Sequence, residues 1–156
     1  MATLDEEVEL LRKIPLFSTI DPGKLKLLAF SSDRKNYADG QDLFKQGEFG
    51  DAAYVIVEGS ADVIVETDDA DEVVVAELGN NEFIGEISIL CDVPRTATVR
   101  ASGELQTLVI KKEHFLGLVQ QIPDFGVEVM RELASRLSKT TAELGEARRK
   151  LDAIES

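Results

Sequence analysis

The 156 residues carry 30 acidic against 17 basic side chains, a formal charge of −13, with 44% apolar residues. That is apolar mass for one domain with a modest appendage, and the acidic balance disfavours nucleic acid and anionic membrane, both of which want a basic face. A single cysteine excludes an internal disulfide and fits a reducing cytoplasm, while the start Met1-Ala2-Thr3-Leu4-Asp5-Glu6-Glu7 has no signal-peptide pattern and no run nears the ~18 apolar residues of a membrane span.

Along the chain, Leu4, Val8 and Leu11 give residues 4–14 a helical spacing that Pro15 stops. Ser18-Thr19-Ile20-Asp21-Pro22 reads as a second helix start, with Leu25, Leu27, Leu28 and Phe30 as its apolar face. From Asn36 to Ile110 the period drops to two. Short runs at 42–45, 53–57, 61–65, 73–78, 96–101 and 105–110 are rich in β-branched residues, and glycine-bearing turns separate them. Regular short strands with such turns predict an antiparallel sandwich or jelly roll. The acidic stretch Glu66-Thr67-Asp68-Asp69-Ala70-Asp71-Glu72 reads as a solvated hairpin tip, since the ligand spacing of a calcium loop is missing.

Inside the strand region one stretch stands apart, Phe83 to Val99. Gly85-Glu86 opens a helical turn, Asp92-Val93-Pro94 breaks it, and Arg95-Thr96 opens an alternating strand. Free amides at a turn's start attract anions, Gly85 lets a ligand approach the backbone, and Arg95 suits a phosphate clamp. A carboxylate beside a phosphate repels it, so Glu86 is better placed to accept from sugar hydroxyls. Together they suit a nucleotide with one compact, singly charged phosphate. The net charge does not oppose this, because distant charges are screened over about 8–10 Å.

After residue 111 the period is helical again: a short helix from Lys112 to Gln121, a break at Ile122-Pro123-Asp124-Phe125, and one long helix over 126–156. The long helix carries a heptad. Met130, Leu137, Leu144 and Leu151 fall at a; Leu133, Thr140, Ala147 and Ile154 fall at d. The seam spans about 36 Å. Glu143 opposite Arg148 and Lys150 opposite Glu155 suit a parallel pair. A stripe this narrow predicts a homodimer; packing on the chain's own sheet is the alternative.

Gly85-Glu86-Ile87-Ser88 followed by Pro94-Arg95-Thr96-Ala97-Thr98-Val99 resembles the phosphate-binding cassette of cyclic nucleotide-binding domains. That family includes bacterial catabolite activators, regulatory subunits of cyclic AMP-dependent kinase and cyclic nucleotide-gated channels. The resemblance implies a mainly β fold with flanking helices: a β-roll (double-stranded β-helix, or jelly roll) plus a long C-terminal dimerisation helix. It divides the chain into N-terminal helices over 1–35, a roll over 36–111 with its cassette at 83–99, and C-terminal helices over 112–156, the dimerisation helix at 127–155. It further implies that Gly85, Glu86 and Arg95 hold the cyclic phosphate, that the Glu86 side chain takes the ribose 2′-hydroxyl, and that Ile87, Ser88 and Ala97 belong to the ligand-binding set. Thr96 is either a base or phosphate contact or an ordinary strand threonine, and it keeps cyclic GMP open. Val63 and Val75 match positions near the base, with plain core as the alternative. Residues 136–145 resemble the activators' dimerisation helix, which places Thr140 and Thr141 against adenine.

Cys91 is read as an incidental thiol, and with one histidine, His114, it is too little for a zinc site. No nucleophile–base pair is apparent. The expectation is therefore a cytoplasmic, non-enzymatic sensor without cofactor, binding cyclic AMP, or else cyclic GMP, and passing the signal to an unidentified effector protein or domain. The chain ends at Ser156, leaving no room for a helix-turn-helix. A nucleotide-independent dimeric scaffold of the same fold is the competing expectation.

Overall fold

The computed structural model describes residues 4–155; the outermost ends of the predicted first and last segments, 1–3 and 156, lie outside them. Helices α1 (Leu4–Arg12) and α2 (Pro22–Ser31) lead into strands β1 (Asp33–Tyr37), β2 (Asp42–Phe44), β3 (Ala52–Glu66), β4 (Glu72–Leu78) and β5 (Phe83–Ile84). Then come α3 (Glu86–Cys91), β6 (Thr98–Lys111), α4 (Lys112–Gln121) and α5 (Pro123–Glu155). The strands form one antiparallel sheet in the order β1-β6-β3-β4, with β2 paired to β6 and β5 to β3. This is the expected roll with flanking helices and a long C-terminal helix.

The strands are fewer and longer than the turn signals predict. The expected runs 53–57 and 61–65 form one strand, and so do 96–101 and 105–110. The glycine between the first pair bends the ladder without ending it. Gly59 has φ +112°, and a Cβ there would lie 2.5 Å from the Glu104 carbonyl oxygen. The register shifts between Ile56 and Glu58 and again between Glu58 and Ser60, then resumes at Ser60 opposite Ser102. A bulge opposite a second kink lets both strands turn the corner together. Strand β1 is an addition. Its residues Asp-Arg-Lys-Asn-Tyr show no alternation, and only Tyr37 is buried. It forms because Asp33 to Tyr37 pair with Val109 to Leu105 of β6.

Alternate residues of β3 enter two different cores. Ala53 and Val55 face the helices, in a cluster with Leu11, Phe17, Phe115 and Phe125. Tyr54 and Ile56 face the roll interior, with Tyr37, Leu43, Phe44 and Val63. Helix α5 starts three residues before the expected Gly126, at Pro123, because proline at the first helical position loses no hydrogen bond. Its first turns are pinned by Phe125, whose ring stacks on Phe17 at 5.6 Å and meets Phe115 edge-on at 5.7 Å. Past Arg136 the support ends: every residue from 137 to 154 is exposed. Leu133 packs partly against the core, but Leu137 and Leu144 are each 68% exposed, so the heptad stripe beyond Arg136 does not pack on its own sheet.

Phe125 is fully buried. Phe125→Ala is expected to cost about 3–5 kcal/mol in urea unfolding. A cost below about 1 kcal/mol would show that the helix is held elsewhere.

Candidate functional site

Strand β5 delivers the chain to Gly85, which has φ +95°. A Cβ there would sit 2.7 Å from Arg95 Nη1 and 3.1 Å from the Ala52 carbonyl oxygen, so both the conformation and the space call for glycine. Helix α3 follows and ends at Asp92, itself left-handed at φ +54°. The returning chain is stitched to the β2–β3 loop. The Arg95 amide donates to the Glu48 carbonyl at 2.7 Å, and the Gly47 amide donates to the Arg95 carbonyl at 2.9 Å. Ser88 Oγ donates to the Val93 carbonyl at 2.6 Å and accepts from the Gly50 amide at 3.2 Å.

These ties turn the Arg95 side chain inward. Nη1 donates to the Gly85 carbonyl at 2.8 Å and Nη2 to the Ala52 carbonyl at 2.7 Å. The guanidinium carbon lies 4.1 Å above the Phe44 ring. Gly50 makes room for it, since a Cβ at that position would come within 2.1 Å of Arg95 Cζ. Arg95 is only 4% exposed, and no carboxylate lies within ion-pair distance of it among the described residues. Its Nε has no partner there either. Burial pulls its pKa down, while Tyr54, Asp51 and Glu86 pull the other way.

Glu86 is buried beside it. Oε1 accepts from Arg136 Nη1 at 2.9 Å, and Oε2 has no partner among the described residues. Burial raises the Glu86 pKa, and the Arg136 charge opposes the rise. Arg136, on α5, also donates to the Phe83 carbonyl and, at 3.3 Å, to Glu132. Its guanidinium lies 4.5 Å over the Phe83 ring. One side chain thus ties the long helix to the strand and turn that carry Gly85 and Glu86.

The structure brings Gly85, Glu86, Ser88 and Arg95 together. Ser88 is buried and serves as the brace between the two loops. Ile87 and Thr96 are exposed, and Ala97 is half-buried. Val63 is half-buried in the inner cluster, but Val75 is exposed on edge strand β4. Thr140 and Thr141 are exposed on α5 one turn past Arg136. Sequence reasoning missed Arg136, Gly50 and the aromatic floor of Phe44 and Tyr54. Arg136 sits on the polar flank of the heptad and meets Glu86 across 50 residues, so no local period marks it. The described residues hold no cluster of three or more His, Cys, Asp or Glu side chains able to bind a metal.

Residues 34–122 match the family of the cyclic nucleotide-binding domain. The chain belongs to this family. It is 32% identical over 114 residues to the cAMP-dependent protein kinase regulatory subunit of Blastocladiella emersonii, covering 73% of this chain and 28% of that one. The catabolite activator protein of Thermus thermophilus superposes with a TM-score of 0.75 at 29% identity, over 83% of this chain and 61% of that one. The regulatory subunit of a cAMP-independent protein kinase A from Trypanosoma brucei superposes with a TM-score of 0.74 at 26% identity, over 85% of this chain and 47% of that one. The chain thus spans only part of each relative's length. The cyclic nucleotide-binding family is regulatory rather than catalytic. No helix among the described residues is long and apolar enough to cross a membrane.

The raised pKa of Glu86 has a definite sign. Its ionisation opposes folding, so its contribution to stability is full below the unfolded value and is lost as pH rises through the folded one. In a carbonyl-detected NMR titration the Glu86 signal, identified with Glu86→Gln, is expected to move above the ordinary value of 4.5. Arg136→Met should push it higher still. No further rise in that variant would mean that Arg136 does not act on the carboxylate.

Proposed function

We propose that this domain senses a cyclic nucleotide, cyclic AMP in the first place, on the Gly85–Arg95 cassette, and passes binding to α5, through which two copies pair. The observation that carries the reading is the state of Arg95. A guanidinium is charged at any pH at which the protein is folded. Buried among carbonyls and rings without a carboxylate, it is an incompletely compensated cation. A singly charged phosphate supplies the missing anion and accepts from Nε. The unpaired Oε2 of Glu86 complements that phosphate with an acceptor for a sugar hydroxyl. A nucleotide whose phosphate closes back on its ribose offers both groups within one short span.

Transmission runs through Arg136. It shares Glu86 with the ribose, so a bound ligand alters the contact that holds α5 to the cassette. The shift in helix position is bounded by the ligand's differential affinity for the two arrangements. The exposed stripe of Leu137, Leu144, Leu151 and Ile154 is then the seam of a parallel homodimer. Thr140 and Thr141 meet the adenine once the ligand and the second copy are in place. The exposed Thr96, next to the clamp, favours cyclic GMP as the second reading. The sensor works in the cytoplasm, without cofactor or catalysis, on an effector protein or domain that reads α5. Membership of the family does not by itself decide the ligand, since the Trypanosoma relative is described as cAMP-independent.

Calorimetric titration with cyclic AMP and cyclic GMP tests the reading. Binding is expected at micromolar or tighter affinity, roughly −8 kcal/mol. Arg95→Ala should weaken it by about 10–100-fold, the loss of one charge-assisted hydrogen bond and of the buried cation beside it. No heat with either nucleotide, from folded protein, would sink the sensor and leave the scaffold. Sedimentation tests the pairing separately. The wild type should run as a dimer and the double variant Leu137→Glu, Leu144→Glu as a monomer with its fold intact. A monomeric wild type would remove the seam.

A further inference from the structure

Strand β4 is held on one side. Among the described residues it pairs with β3 and with no other strand. About every second residue along such an edge turns an amide and a carbonyl outward. All of residues 72–77 are exposed. The centre of the strand is Val73, Val74 and Val75, at 45, 55 and 53% exposure. Val73 and Val74 are consecutive, so apolar surface stands on both faces of the strand. The edge has two of the usual guards against stray pairing. One is a bulge at Val75, where the ladder steps from Val63–Ala76 to Ile64–Val74. The other is a carboxylate near each end, Glu72 and Glu77. The valines between them are uncovered.

The two carboxylates are placed unusually. Glu72 lies directly opposite Glu66 on β3, and Glu77 directly opposite Asp62. Like charges so placed repel. The first pair is relieved by Arg100, which donates to Glu72 at 3.1 Å and to Asp42 at 2.8 Å. The second pair is not. Neither Asp62 nor Glu77 has an ion pair among the described residues. Arg100 stands in register with Asp62 on β6, but its guanidinium is engaged by Asp42 and Glu72. A cation arriving beside Glu77 would offset the repulsion. A second copy of β4 cannot bring one. Paired antiparallel and centred on the valines, it would set Glu72 against Glu77 at both ends and add two more like-charge pairs.

We infer that the open edge of β4 accepts an added strand from a partner protein: an extended segment, β-branched or apolar at its centre, with a lysine or arginine where it passes Glu77. Its backbone bonds to the outward amides and carbonyls of β4 supply affinity, and its apolar side chains cover the valines. The Asp62–Glu77 pair sets the register, because a slip of one residue turns the basic side chain to the other face. The edge lies outside the Gly85–Arg95 cassette, so the inference holds whichever nucleotide the cassette takes, or none.

The test titrates the isotope-labelled full chain with synthetic peptides and follows its backbone amides by NMR. The probe is Lys-Val-Thr-Val-Thr-Val-Lys; the controls carry glutamate at both ends, or proline in place of the central valine. The lysine peptide is expected to shift the amides of residues 72–78 and to slow their hydrogen exchange. It should bind about 3–10-fold more tightly than the glutamate peptide, the scale of one or two cross-strand charge pairs. The proline peptide should leave the edge unchanged, since it cannot complete the ladder. Glu77→Lys, with its fold checked by circular dichroism, should reverse the order of the two charged peptides. No response at 72–78 at millimolar peptide overturns the docking edge. Shifts without slowed exchange place the peptide on a face of the sheet and overturn the added strand. Equal affinities, or an order unchanged in Glu77→Lys, overturn the charge match. Changes at 72–78 on raising the protein concentration alone make a second copy the occupant and overturn the partner.

Discussion

A permanently charged guanidinium inside an apolar roll is the constraint on which the rest of the molecule depends. Arg95 can occupy that place only because carbonyls from two separate segments, at Ala52 and Gly85, converge on it. Those carbonyls converge because β3 and β5 pair there, Tyr54 opposite Ile84. Two glycines then become obligatory for steric reasons alone, Gly85 and Gly50. Phe44 supplies a π-face that partly compensates the charge. What remains uncompensated is a demand for an anion.

The second dependency is mechanical. Helix α5 is held at two places: at its start by the Phe17–Phe125–Phe115 stack, and at Arg136 by Glu86 and the Phe83 carbonyl. The first is apolar and insensitive to any ligand of the cassette. The second is polar, half-buried and shares its carboxylate with the candidate ligand site. A helix fixed at its base and latched about two-fifths of the way along suits a lever, because a small change at the latch moves the free part furthest. The apolar stripe beyond the latch is exposed.

The relatives sharpen the division between fold and site. A catabolite activator, a kinase regulatory subunit and a cAMP-independent regulatory subunit all share the architecture. The roll is a scaffold on which ligand demand is set by a few side chains. In this chain the candidates are a buried arginine without a carboxylate at ion-pair distance and a buried glutamate with one oxygen unpaired among the described residues. The net charge of −13 has little to say about either, because both sit where the nearest carbonyls and rings outweigh distant carboxylates.

Much was legible in the sequence. Gly85, Glu86, Arg95 and their spacing lie on one continuous stretch, so backbone conformation and side-chain chemistry could be read together. The period of two over the roll and the heptad over α5 are local signals, and they gave the fold class and the exposed stripe. Strand β1 was invisible because its polar residues form a strand only when β6 is beside them. The merging of strands at Gly59 was invisible because a positive-φ glycine serves a turn and a bulge alike, and only the facing strand decides which. Arg136 meeting Glu86 and Gly50 yielding space to Arg95 join residues tens of positions apart. The sequence by itself determined which chemical groups were present and which local conformations they favoured. Only the tertiary structure decided which groups are buried together, because burial and pairing are properties of segments that the chain brings into contact after its local conformations are set.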